Sequence, residues 1–129
     1  MKRFIVSLFL VCCLSSFPAW AKDYVKDIQF SHKQPLVAVE NSVVRADRDI
    51  YQLNAQAGHS LFINFSSLEN NGAVEVVSMV NGTAVGGTVE QTPEGFIWHA
   101  VLPVTGAYRI IISGTRGNVS YKAEISVSE

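Results

Sequence analysis

From about residue 22 onward, apolar and polar positions alternate with the two-residue period of strands, and no stretch keeps a helical period. The cleanest run is the last, where Val119, Tyr121, Ala123, Ile125 and Val127 share one face and Ser120, Lys122, Glu124 and Ser126 the other. Phe96, Trp98, Ala100 and Leu102 alternate with Ile97, His99 and Val101, so both faces are apolar and an interior strand is expected. Tyr51, Leu53 and Ala55 line one face before the turn Gln56-Ala57-Gly58-His59, and Leu61, Ile63 and Phe65 line one face after it, a pattern that predicts a hairpin. Tyr24 to Phe30 reads as a first strand and Pro35 opens a second over Leu36 to Glu40. Ala73 to Val80 runs into Asn81-Gly82, whose residues accept positive φ, and an irregular return to Val89 follows. Thr92-Pro93-Glu94-Gly95 is another turn.

The stretch that organises these strands is Leu102 to Ile112. Pro103 has no N–H for a sheet ladder, so the chain leaves its sheet there, turns through Thr105-Gly106 and re-enters at Tyr108. A Tyr in that place can bury its ring while its hydroxyl bonds upstream backbone, in the manner of the tyrosine corner of β-sandwiches. Eight or nine short strands joined by turn signals predict an all-β chain, a single antiparallel β-sandwich or jelly roll over residues 22–129.

The N-terminus follows another pattern. Lys2-Arg3 precede an apolar run from Phe4 to Leu14, and Ala19-Trp20-Ala21 places small residues where a signal peptidase reads them. Residues 1–21 are therefore expected to be a signal peptide. The run is short for a bilayer, so no transmembrane segment is expected in the mature chain. Cys12 and Cys13 both fall in that segment, and neither is preceded by the small residue a lipoprotein signal needs. The mature domain then has no thiol and relies on its core alone. Without Lys2 and Arg3 the chain has eight basic against eleven acidic residues, a net charge of −3, and the basic ones are scattered. No nucleic-acid footprint is expected.

Catalytic chemistry finds little to work with. The mature chain has no cysteine nucleophile and no Gly-x-Ser-x-Gly elbow. His32 and His59 fall in turns, where a solvated histidine is the plainer reading, and His99 lies in an apolar strand. No two histidines have ligand spacing, and Asp47-Arg48-Asp49 lacks the oxygen count of a calcium loop. Those carboxylates read as solvated or paired with Arg45 or Arg48. No metal or other cofactor is expected, and no enzyme activity. Trp98 and Tyr108 could make an aromatic platform for a sugar, with core packing the plainer alternative. The loop Ser113 to Asn118 is the best place for a function carried by a rigid scaffold, because Arg116 there could present five donors to a carboxylate or polar partner surface.

The residues Asp49-Ile50-Tyr51, Ala57-Gly58-His59, Leu102-Pro103, Thr105-Gly106-Ala107-Tyr108-Arg109-Ile110 and the closing Tyr121 strand resemble the bacterial pre-peptidase C-terminal domain. Within that class the chain is most similar to the periplasmic inhibitors of g-type lysozyme, across the whole of residues 22–129. The resemblance implies a Thr-Arg pair in a loop that reaches the lysozyme's cleft, and Thr115-Arg116 stands at the matching place, followed by only Gly117-Asn118 before the last strand. It implies an exported, non-enzymatic binding protein of the periplasm, or a fully secreted one. Arg116, Thr115, Ser113, Asp49 and Tyr51 would meet the partner. That partner would be g-type lysozyme or another envelope-active protein. The alternative is a carbohydrate-binding or structural accessory sandwich of the envelope, with a glycan as ligand.

Overall fold

The computed structural model describes residues 23–31, 35–44, 46–115 and 117–129. The expected signal peptide with both cysteines, His32, Arg45 and Arg116 lie outside the described residues. Among them the chain forms nine strands: β1 (Asp23–Asp27), β2 (Leu36–Val43), β3 (Arg48–Ala55), β4 (Ser60–Ser67), β5 (Gly72–Ser78), β6 (Thr88–Thr92), β7 (Gly95–Val101), β8 (Gly106–Gly114) and β9 (Val119–Ser128). They build a two-sheet β-sandwich, one sheet in the order β1-β3-β8-β5 and the other β2-β9-β4-β7-β6. All pairings are antiparallel except β1 on β3.

The inward faces are the ones the alternation marks. Leu61, Ile63 and Phe65 of β4, Tyr108, Ile110 and Ile112 of β8, and Val119, Tyr121, Ala123 and Ile125 of β9 are buried together with Leu53 and Val76. Each Val, Leu, Ile or Phe among them that is fully withdrawn from water contributes about 1.5–3 kcal/mol. β7 is interior, between β4 and β6, as its two apolar faces require. Trp98 is only 5% exposed and lies so close under Gly87 that a Cβ there would stand 2.2 Å from the indole. Tyr108 is completely buried. Both aromatics are core residues, and neither offers a face to a sugar.

Successive strands rarely pair with each other. Only β6 and β7 form a hairpin among the named strands, and every other connection passes from one sheet to the opposite one. The hairpin expected across Gln56–His59 is therefore corrected: β3 belongs to the four-stranded sheet and β4 to the five-stranded sheet. Their apolar faces do point at a common interior, but from opposite walls of it. After Asn81-Gly82, with Gly82 at φ +68°, the chain returns only as far as a single bridge between Val77 and Ala84. The first strand stops at Asp27, and Ile28 turns into the core while its N–H donates to the Gln52 carbonyl at 2.8 Å.

The corner between β7 and β8 is built as its sequence implies. The Tyr108 hydroxyl accepts from the Val104 N–H at 3.1 Å and donates to the Val104 carbonyl. The β3–β4 crossing lies against this corner: the Leu102 N–H donates to the His59 carbonyl at 2.8 Å, the Gly58 N–H to the Leu102 carbonyl at 2.9 Å, and the Ala57 N–H to the Thr105 hydroxyl at 2.9 Å. Two sheet-to-sheet crossings thus satisfy each other's backbone groups at one end of the sandwich.

Candidate functional site

The opposite end carries the loop between β8 and β9. Its base is tied to Asn71, which is 2% exposed. The Thr115 N–H and hydroxyl both donate to the Asn71 carbonyl, at 2.8 and 3.0 Å, and the Asn71 amide Nδ2 donates to the Asn118 carbonyl at 2.7 Å. Asn71 is itself fixed, because its N–H donates to the Ser67 hydroxyl and the Ser67 N–H to the Glu94 carbonyl. The two arms of the loop nearly touch: a Cβ on Gly114 would lie 2.3 Å from the Gly117 carbonyl oxygen, and Gly117 adopts φ +76°. Glycine is what the chain needs at both places. Nothing in the residue pattern distinguishes Asn71 as this anchor; it sits in the polar run Ser66 to Gly72, which reads as an ordinary loop.

Ser113, half-buried, lies opposite Arg48 in the β3–β8 ladder, and Thr115 is exposed beyond it. Asp49 follows Arg48, so the ladder brings the start of β3 beside the end of β8. Asp49 is not a solvated carboxylate. It is 4% exposed, and its Oδ2 accepts from Tyr121 Oη at 2.5 Å and from Asn41 Nδ2 at 2.9 Å. Tyr51, 5% exposed, places its hydroxyl 2.6 Å from that of Tyr121. Since the single O–H of Tyr121 donates to Asp49, Tyr51 is the donor in this second bond. The chain Tyr51–Tyr121–Asp49–Asn41 links the two sheets, running from the core at Tyr51 out to the exposed Asn41. Burial, and then the hydrogen bond to Asp49, push the Tyr121 phenol far above its usual range, and burial pushes Tyr51 up as well.

Arg48 does not pair with either neighbouring aspartate. Its guanidinium reaches Asp23 of β1 with two bonds, at 2.9 and 2.8 Å, which hold the Asp23 carboxyl below the usual carboxylate range. Asp49 and Tyr51 line a pocket of about 170 Å3 between β1, β2 and β3, together with Tyr24, Lys26 and Asn41. Of the five residues expected to meet a partner, Thr115 is exposed, Ser113 is half-buried beside it, Asp49 and Tyr51 are joined in the buried network, and Arg116 lies outside the described residues.

Among the described residues, no group of three or more His, Cys, Asp or Glu side chains converges. His99 stacks on Phe62 with ring centroids 5.4 Å apart, and its Nε2 is 3.7 Å from Glu90. No helix of the described residues is long and apolar enough to cross a membrane.

No protein-family model matches the chain, and no curated protein matches it in sequence. Solved structures do. PliG of Aeromonas hydrophila, a periplasmic inhibitor of g-type lysozyme, superposes with a TM-score of 0.68 at 21% identity, covering 84% of this chain and 99% of that one. The fold is that of the PliG inhibitors. PliG of Salmonella Typhimurium agrees, with a TM-score of 0.65 at 15% identity over 81% of this chain and 98% of its own. The pre-peptidase C-terminal domain of a Bacillus anthracis collagenase is similar more loosely, with a TM-score of 0.50 at 13% identity over 87% and 100%. The likeness is one of architecture, matching the resemblance drawn from the corner and strand motifs.

Proposed function

We propose that this chain is an exported, non-enzymatic inhibitor of g-type lysozyme that docks its β8–β9 loop in the enzyme's cleft, in the periplasm of a Gram-negative bacterium. The observation that carries this reading is the stapled base of the loop: three hydrogen bonds to the buried Asn71 hold Thr115 and Asn118 at one end of a sandwich with the PliG fold. A loop whose base is held before binding gives up less entropy on docking. Arg116 is the residue proposed to pair with the cleft's catalytic carboxylates, because a glycosidase cleft offers a pair of them and a guanidinium meets a carboxylate with two parallel bonds. Thr115 and Ser113 would add polar contacts beside it. Asp49 and Tyr51 would meet the partner through the small pocket beside β1.

A glycan-binding accessory role draws less support, since Trp98 and Tyr108 are both in the core. The test is lysis of a peptidoglycan suspension by g-type, c-type and i-type lysozymes, with the exported chain or its Arg116→Ala variant added. Protection against the g-type enzyme alone, weakened at least tenfold by Arg116→Ala, is the expected result. Undiminished lysis by the g-type enzyme at large excess of the chain would overturn the proposal.

A further inference from the structure

The order β2-β9-β4 sets two other loops on either side of the one that leads into β9. Val43 is the ladder partner of Val119, so Val44 emerges from β2 alongside Asn118. Ser67 is the ladder partner of Tyr121, so Leu68 emerges from β4 on the other flank, alongside Ser120. Both residues are aliphatic, and both are held out of the core: Val44 is 60% exposed and Leu68 94%, the highest value among the large apolar side chains described.

A single exposed aliphatic residue on a protein surface is ordinary. This pair differs in how it is held. Val44 begins a tight turn closed by the Asp47 N–H on the Val44 carbonyl at 2.9 Å, and Leu68 lies in one closed by the Asn70 N–H on the Ser67 carbonyl at 3.3 Å. Each turn contains a non-glycine residue in the left-handed region, Ala46 at φ +72° and Asn70 at φ +52°, and these are the only two among the described residues. Asparagine adopts that region readily, whereas at Ala46 it costs free energy and persists only where the surroundings enforce it. Beside these two turns both aliphatic side chains face water. Leu68 also stands as a wall between two concavities, one of about 590 Å3 beside Ser66, Pro93 and Lys122 and one of about 210 Å3 beside Asn71, Asn118 and Ser120. A partner surface can close around it from both sides.

We infer that Val44 and Leu68 are paired aliphatic anchors, one on each flank of the β8–β9 loop, and that they seat in apolar recesses on either side of the polar cleft the loop enters. The occupant is a protein, g-type lysozyme, and the inference rests on the function proposed above. The polar loop supplies register and charge pairing, and burial of two aliphatic side chains on its flanks adds affinity to it. Neither residue supports the core, so their replacement tests binding without unfolding the chain.

The experiment is titration calorimetry of the purified exported chain against g-type lysozyme, with Val44→Ser, Leu68→Ser and the double variant, and with Val101→Ser as control. Val101 is 64% exposed and pairs with Ser60 at the far end of β4. Melting temperatures verify that all variants stay folded. Each anchor substitution is expected to weaken binding about tenfold and the double variant about a hundredfold, with Val101→Ser unchanged. Wild-type affinity retained by the double variant, or an equal loss in Val101→Ser, overturns the anchors while leaving the proposed function standing. Failure of the wild-type chain to bind overturns that function, and the anchors with it.

Discussion

The Tyr121 hydroxyl donates a hydrogen bond to a carboxylate that is almost wholly removed from water, and its oxygen accepts one from Tyr51. Removing that one hydroxyl leaves Asp49 with Asn41 alone and Tyr51 without its acceptor. Tyr121→Phe keeps the ring stacked on Phe65 and is expected to cost about 1–3 kcal/mol, read as a melting temperature several degrees lower. The same network sets an alkaline limit. Both phenols are raised above their ordinary value in the folded chain, so above about pH 10 the unfolded chain loses protons that the folded one keeps. Stability is therefore complete below that pH and falls as pH rises beyond it. Denaturant titrations between pH 8 and pH 11 should show the decline in the wild type and a shallower one in Tyr121→Phe.

At the scale of elements, the β4–β5 connection holds the base of the β8–β9 loop. Asn71 contributes its carbonyl to Thr115 and its side-chain amide to Asn118. Asn71→Ala keeps the first and removes the second, leaving the Asn118 carbonyl without that donor. Amide exchange of residues 115–120 should accelerate about tenfold, while β8 above Ile112 keeps its protection. If the loop's order is what makes it a good plug, binding to g-type lysozyme weakens in the same variant mainly through a slower association. An unchanged exchange pattern would show that the flanking glycines hold the loop unaided.

For the molecule as a whole, the recurring problem is how a chain that crosses between sheets at nearly every connection closes its corners. The β7–β8 corner answers it with Tyr108, whose hydroxyl serves both the N–H and the carbonyl of Val104. Tyr108→Phe fills the same space and strands both backbone groups in a half-buried position. It should lower stability by about 1–2 kcal/mol with the fold retained, and chemical denaturation of the two proteins side by side measures the difference. Because the β3–β4 crossing leans on the same corner through Leu102 and Thr105, the loss will be felt at both.

Strand content, the inward faces and the corner were all written in local pattern. Alternation in β9 names its buried residues because a strand's period is two whatever it packs against, and Pro103 with Tyr108 marks a break in the ladder that no neighbour can repair. Local pattern could not say which sheet the next strand joins. The β3 and β4 segments have the same alternation as a hairpin would, since a side chain aimed at the core is apolar whether its partner strand lies beside it or across from it. The site shows the same division. Thr115 and its glycine-flanked loop stand out by composition, whereas Asn71, the buried state of Asp49 and the flanking positions of Val44 and Leu68 follow from strand order and register, which join residues far apart in the chain. Those pairings are contacts at a distance, and only the folded arrangement of the two sheets decides them.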